Sequence, residues 1–339
     1  MRLKKILCLL LAFCIPFFLF SACSAKNTPA LNISGAEVSQ DIYAYYLDKV
    51  VSKPANYGLG FAAAAQDLKD KATELCKEYV GVNTTLKGLG LKLSVGEKAA
   101  VSTKVNEYWH LYSKYYSAIG VSKQSLTKIE SCNSAKDALL TYYYDNKGSK
   151  AIKEIDIMKY FNDNYVEFRA INGYLTKTDE NNNTVDLTAE EKSALKSKLD
   201  SLAVRLTDGE TFDAVSDRFA SEQGGSSGNT DVIVIKKDNT AYPAGFFEAV
   251  AKIKPGKPKV ILLDKYIFLI LKVDSSGSDK DASDSNTNYY KLYRTDCLKA
   301  LAGGEMDKEI ESIADGYSVV KKDKIINKIY ENISAGYES

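Results

Sequence analysis

The stretch LTDGETFDAV, Leu206 to Val215, decides how the chain is read. Asp208-Gly209 is a turn dipeptide set between two segments of helical periodicity. Upstream, Leu195, Leu199, Leu202 and Leu206 recur at three- and four-residue steps, and Thr188 and Glu191 stand at capping-box spacing, which predicts a helix over 188–206. Downstream, Phe212, Val215 and Phe219 form the apolar side of a second helix over 211–221. Working outward, VEFRAINGYL (166–175) is a β-prone run closed by the turn-forming Asp179-Glu180-Asn181-Asn182-Asn183. Gly224-Gly225-Ser226-Ser227-Gly228 reads as a loop with no Lys-Ser/Thr ending for a phosphate site. DVIVI (231–235) is a strand, 243–253 holds a short helix with Phe246, Phe247 and Val250, and 260–263 and 266–273 are strands around Asp264-Lys265. Strand–helix–helix–strand–helix–strand–strand over 164–274 is an α+β domain.

Both flanks read as helical. Over 36–163, Val38, Ile42, Tyr45 and Tyr46 share one face, a helix follows at 61–79, and Val101, Val105, Trp109, Tyr112 and Tyr116 make the longest stripe, over 94–116. Two shorter helices are expected at 122–130 and 134–144, and another at 155–165. Residues 275–288 are rich in Ser, Asp, Gly and Asn and read as a linker. Helices return at 289–302 and 305–314, and a β-prone Ser318-Val319-Val320 precedes a last helix carrying Ile325, Ile326, Ile329 and Tyr330. These C-terminal helices are too few to bury their own faces and need those of 36–163. The expected architecture is therefore α+β: a discontinuous all-helical module, 36–163 with 289–339, interrupted by the domain at 164–274.

The 339 residues allow about two domains. At 45% hydrophobic and 26% charged, the composition is that of a folded chain. Lys and Arg number 45 against 44 Asp and Glu, a net charge of +1, which argues against nucleic-acid binding. The single histidine, His110, excludes His-rich metal sites and imidazole pairs, and beside Trp109 it reads as a boundary residue. Neither a cofactor nor a metal is expected.

The N-terminus begins with a basic Arg2, Lys4 and Lys5, followed by an apolar run from Ile6 to Phe20 interrupted by Pro16. That run is shorter than the ~20 residues needed to span a bilayer and reads as a signal peptide, 1–22. Phe20-Ser21-Ala22-Cys23 resembles a bacterial lipobox, with Phe20 where an aliphatic residue is usual, so Cys23 is the expected lipidation site. Ordinary cleavage near Ala22 or Ala25 is the alternative. Residues 23–35 are then a tether, and the mature chain has 42 basic and 44 acidic residues, a net −2. Cys76, Cys132 and Cys297 remain, in no CxxC pattern; each reads as a buried small residue, with one disulfide among them left open.

Region 164–274 resembles a parvulin-type peptidyl-prolyl isomerase domain, the rotamase family. The resemblance is carried, in family order, by Arg169-Ala170-Ile171-Asn172, by Leu206–Val215, by Ala220-Ser221 before the glycine loop, by Tyr242–Ala249 with Ile253-Lys254-Pro255-Gly256, and by Ile270–Asp274. It covers about a third of the chain. Family members carry a histidine on each of two neighbouring central strands, and here those positions fall on Asn172 and Leu269. A third position, Asp or Cys in the family, falls near Glu222 or Gln223, and an apolar Met position near Thr240 or Ala241. The catalytic positions Asn172, Gln223 and Leu269 are thus degenerate, which implies a weak or inactive isomerase. Asn172, Phe246, Phe247 and Leu269 would line a peptide-binding site.

An exported lipoprotein with helical flanks around such a domain is similar to the PrsA/SurA foldases, in which the flanks form one chaperone module. The resemblance implies a foldase anchored at the outer face of the bacterial cytoplasmic membrane, with unfolded or nascent exported polypeptides as partners, and it leaves a homodimer open. The 23 Tyr against 12 Phe suit adaptable contact surfaces, although for any single one helix packing, with its hydroxyl reaching solvent, is the better reading. The alternative is a solute-binding lipoprotein of a transporter, which needs two lobes of alternating strands and helices. Cys23→Ala should release the protein from membranes or leave an uncleaved precursor in cell fractionation. An unchanged distribution and mass would remove the lipid anchor.

Overall fold

Ser34-Gly35, with φ of 48° and 91°, turns β1 (Pro29–Ile33) back onto β2 (Ala36–Ser39). Positive φ at both central residues is the hairpin geometry that matches the twist of paired strands. The computed structural model describes residues 28–60, 62–222, 230–273 and 289–337. After the hairpin come α1 (Gln40–Ser52), a single 3-10 turn (Pro54–Tyr57), α2 (Ala65–Gly88), α3 (Val95–Ala118), α4 (Lys123–Tyr144) and α5 (Glu154–Asn164). Next are β3 (Tyr165–Tyr174), a small hairpin of β4 (Thr176–Thr178) and β5 (Thr184–Asp186), α6 (Ala189–Thr207) and α7 (Phe212–Glu222). β6 (Ile233–Lys236), α8 (Phe246–Ala251), β7 (Pro258–Leu263) and β8 (Tyr266–Lys272) follow, then α9 (Tyr289–Asp315), β9 (Val319–Lys321) and α10 (Asp323–Ser334). The chain is α+β, and every strand pairing is antiparallel. No described helix is long and apolar enough to cross a membrane.

The chain divides into two compact units, a terminal one of residues up to 134 with those from 310 onward, and a central one of 135–309. The terminal unit has a three-stranded sheet in the order β2-β1-β9. Leu31 pairs with Lys321 and Ile33 with Val319, so both ends of the chain meet there. The Ser34 N–H donates to Ser318 O at 2.9 Å, and the Lys322 N–H donates to Ala30 O at 3.0 Å. Ala30, Leu31, Ile33, Val38, Leu47 and Val50 are fully enclosed, in one core with Cys76, Val101, Leu126, Ile326 and Ile333. α3 starts on a capping box in which Ser94 and Glu97 satisfy each other's backbone N–H.

A buried carboxylate ties α1 to α4. Asp41, 8% exposed, accepts from the hydroxyls of Ser39, Ser122 and Ser125 and from the Ile42 N–H. Burial alone would raise its pKa, but the hydroxyls of Ser125, Ser39 and Ser122 outweigh burial and hold it below the usual value.

In the central unit Arg294 of α9 bridges Asp145 and Glu154, with Nη2 at 2.6 Å from a carboxylate oxygen of each. Phe161, Tyr165, Tyr290 and Tyr293 pack ring against ring beside it, with Phe161 and Tyr165 stacked at 5.1 Å. A four-stranded sheet in the order β6-β3-β8-β7 forms the rest, with α6 and α7 on one face and α8 on the other.

Four expectations are corrected. The flanking segments are not all helical, because β1, β2 and β9 are strands of three to five residues, too short for alternation to show. Part of the expected 23–35 tether is β1, whose buried Leu31 and Ile33 belong to the core. The helices expected at 122–130 and 134–144 are one, α4, with Asn133 held by a side-chain bond to Glu130 at 3.2 Å. Those at 289–302 and 305–314 are also one, since Gly303 and Gly304 lower helix stability without supplying a stop signal. Cys76, Cys132 and Cys297 are buried and form no disulfide, and burial pushes the Cys297 thiol up to about 11. The signal peptide, Cys23, Gln223 and the 275–288 linker lie outside the described residues.

Because Asp41 has a lowered folded pKa, its contribution to stability is present above about pH 4 and is lost as pH falls through the folded value. Asp41→Asn should cost roughly 2 kcal/mol at neutral pH and flatten the loss of stability in acid, read by urea unfolding from pH 7 down to about pH 3. A parallel pH profile in the variant would contradict this.

Candidate functional site

β3 and β8 are the central strands of the four-stranded sheet, and their register assigns every side chain to a face. Phe168 pairs with Lys272, Ala170 with Ile270, Asn172 with Phe268 and Tyr174 with Tyr266. Directly paired residues share a face and the side-chain period is two, so these eight residues lie on one side. The residues between them lie on the other side, in a core of Ile171, Ile267 and Leu269 with Leu199 and Leu202 of α6 and Phe212, Val215 and Phe219 of α7. A Cβ on Gly173 would stand 3.0 Å from Ile267 Cγ2 and 3.3 Å from Leu195 Cδ2, so glycine there lets α6 close on the sheet. Arg169 closes the same side, its guanidinium over the Phe212 ring at 5.9 Å and 3.6 Å from Asp213 Oδ1.

α8 covers the Asn172 side. Gly245, at φ 80°, sets the direction of α8, and the Phe246 N–H donates to Pro243 O at 3.0 Å. Phe246, Phe247 and Val250 are buried against Val166, Phe168, Phe268 and Ile270. Tyr242 stacks on Phe246 at 4.2 Å, Phe246 meets Phe268 edge-on at 4.9 Å, and Tyr266 stacks on Phe268 at 5.8 Å. Tyr174 extends the row, 5.5 Å from Tyr266. Burial raises the Tyr242 hydroxyl above its ordinary pKa. Along β3 the face runs from buried Phe168 to exposed Asn172 and Tyr174, with Tyr266 and Tyr242 half-buried and Phe246 and Phe268 enclosed between α8 and the sheet. Among the described residues the Asn172 side chain makes no hydrogen bond, leaving its donor and acceptor available.

Of the residues expected to form one site, Asn172, Phe246 and Phe247 lie on this face and Leu269 does not. Leu269 is fully buried against α6 and α7, and the residue across from Asn172 is Phe268. The reason is the strand period, since a one-position difference in the pairing of YIFLILK moves the inferred partner to the opposite face. That run is apolar throughout apart from its ends, so no polar residue marks its outer side. Phe268 and Tyr266 escape the sequence reading for this reason, whereas Tyr174, two residues from Asn172 on β3, is within reach of simple alternation. Glu222 ends α7 in an ion pair with Lys198 at 2.8 Å, and Ala241 lies in the loop before α8, its N–H bonded to Asn239 Oδ1.

The face offers apolar contact, aromatic edges and one amide. It holds no imidazole, and among the described residues no cluster of three His, Cys, Asp or Glu side chains fit for a metal occurs. Its apolar rings and the Asn172 amide are groups that an extended peptide segment could contact.

No protein-family model and no curated protein matches the chain. Among solved structures, the foldase protein PrsA of Streptococcus pneumoniae is 13% identical, with 86% of this chain and 88% of that chain covered and a TM-score of 0.34. Foldase protein PrsA of Lactococcus lactis is 14% identical, with 90% and 99% covered and a TM-score of 0.36. PrsA of Bacillus subtilis is 14% identical, with 87% and 95% covered and a TM-score of 0.33. Values this low carry no conclusion about this chain by themselves.

Leu269→Ala should destabilise the protein by about 2–5 kcal/mol, as for a leucine removed from a packed core. Asn172→Ala should stay within about 0.5 kcal/mol of the parent. Thermal and urea unfolding of both variants checks the assignment of faces, and the reverse order would overturn it.

Proposed function

We propose that the protein is an exported folding factor, anchored through Cys23, that binds unfolded exported polypeptides and carries a parvulin-like domain of weak or no isomerase activity. The observation that carries this reading is where the sequence signatures fall. Arg169–Asn172 lies on β3, Leu206–Val215 spans the α6–α7 turn, Tyr242–Ala249 leads into α8, and Ile270–Lys272 ends β8. At the centre Asn172 faces Phe268, an amide and a benzyl group, while Leu269, at the second histidine position of the resemblance, lies on the opposite face.

Rotation about an X-Pro bond needs no proton transfer in principle, since twisting and desolvating the amide lowers its barrier. A hydrogen-bonded pair that orients the substrate cannot form between Asn172 and Phe268, because the phenyl ring has neither donor nor acceptor. The aromatic floor is retained, and it suits a passive peptide-binding lobe. Tyrosines on the helices add adaptable surface: Tyr112 is 52% exposed and Tyr142 46%. The solute-binding alternative has no support in the topology, since no sheet among the described residues has the parallel strands of doubly wound lobes.

The two ends of the domain meet. β3 starts at Tyr165, and the Val273 N–H donates to Glu167 O at 2.9 Å, so its two ends lie side by side. The test pairs an isomerisation rate on Xaa-Pro peptides with suppression of aggregation of an unfolded client, for the intact protein and for a variant lacking 165–273. Peptide isomerisation near the uncatalysed rate is expected, with most suppression retained after deletion. Isomerisation at rates ordinary for parvulins, abolished by Asn172→Ala, would reverse the reading of the domain. Loss of suppression on deletion would move the client site to it.

A further inference from the structure

β9 runs antiparallel to β1, so its C-terminal end lies beside the start of β1, with Lys321 paired to Leu31 and the Lys322 N–H on Ala30 O. α10 then begins at Asp323, with Lys324 in its first turn and Lys328 one turn on. On the other side of β1, Pro29 pairs with Ser39, and Gln40 Nε2 donates to Thr28 O at 2.9 Å. Asp41, two residues beyond Ser39, holds the hydroxyl of Ser122 at 3.0 Å, which brings Lys123 at the start of α4 to the same end.

We propose that this end of the terminal unit, built around Lys123, Lys322 and Lys324 beside the start of β1, docks on anionic lipid headgroups. All three lysines are exposed, and among the described residues none has a carboxylate partner. Lys321 is paired to Asp70, whereas Lys69, which donates to the Asn327 amide oxygen at 2.9 Å, keeps its charge. The acids nearby are Asp323, exposed at the head of α10, and Asp41, which is buried under three hydroxyls. Glu37 pairs with Asn32 near the turn, at the other end of the hairpin.

The choice of lipid rests on the Cys23 anchoring proposed above and on chain length. Only residues 24–28 separate Cys23 from β1. At no more than ~3.6 Å per residue, they hold the start of β1 within about 20 Å of an anchor in the headgroup layer. Juxtamembrane lysines are attracted to an anionic surface and feel it within a Debye length of about 8 Å. Docking would fix how the anchored protein stands on the membrane instead of leaving it to pivot on its tether.

The test supplies the lipid chemically. The mature chain, 23–339, is coupled at Cys23 to a maleimide lipid in vesicles; the other cysteines, Cys76, Cys132 and Cys297, are buried, so coupling selects Cys23. Lysine acetylation is followed by mass spectrometry on phosphatidylcholine vesicles with and without phosphatidylglycerol. Lys123, Lys322 and Lys324 should react about threefold more slowly on the anionic vesicles and recover in about 0.5 M salt. Lys98 should be unaffected, because it lies in the first turn of α3, roughly 20 Å of helix before the kink at Tyr112, beyond which the chain leads to Lys123. The double variant Lys322→Glu, Lys324→Glu should lose the slowing at Lys123. Equal rates on both vesicles, or slowing retained in the double variant, would overturn the proposal. Protection by soluble polyphosphate without protection by anionic vesicles would overturn the assignment to lipid. Since the lipid is attached by maleimide, these results do not depend on acylation in the cell, which the Cys23→Ala fractionation addresses separately.

Discussion

The pairing of β3 with β8 is the constraint on which the central unit depends. Seven paired positions, from Phe168–Lys272 to Tyr174–Tyr266, fix which residues face α6 and α7 and which face α8. With that register, Ile171, Ile267 and Leu269 go to the helical core and Phe168, Phe268 and Ile270 go under α8. A one-residue slip of β8 would turn Phe268 toward α6 and α7 and Leu269 toward α8, exchanging the two cores' residues on that strand. Gly173 is part of the same arrangement, because only a missing side chain lets Leu195 come so close to β3.

The terminal unit depends on a different kind of contact, between residues far apart in sequence. β1 has too few hydrogen-bonding neighbours in its hairpin alone and acquires β9 from the other end of the chain. Polar clusters reinforce the join. Asp48, buried in α1, accepts from Tyr115 at 2.7 Å and from Tyr337, near the C-terminus, at 2.9 Å. Lys321 of β9 reaches Asp70 of α2. Each is a modest contribution, but together they hold α10, whose Ile326 and Ile333 would otherwise face water.

The chemistry follows from what the sheet presents. An aromatic row that grades from buried Phe168 to exposed Tyr174 can hold apolar segments of variable sequence, since ring faces are indifferent to the detail of what packs on them. One amide at Asn172 adds direction without acid–base capacity. The single histidine, His110, lies on α3 and outside the central unit.

The sequence by itself determined the elements of the central domain apart from the short β4 and β5, because the others carry local signals: the Thr188–Glu191 capping box, the Asp208-Gly209 turn, the β-branched runs and the Asp264-Lys265 hairpin. It also determined the scarcity of acid–base groups, since a count needs no coordinates. It did not contain the register of β8, because YIFLILK is apolar on both faces and either alignment with β3 buries a similar surface. That is why Leu269 and Phe268 exchanged roles. Nor could it reveal β1 and β9, whose few residues become strands only by pairing with each other across the length of the chain. Those choices belonged to tertiary structure, where hydrogen-bond pairing between distant segments decides which face of a short or uniformly apolar strand turns inward.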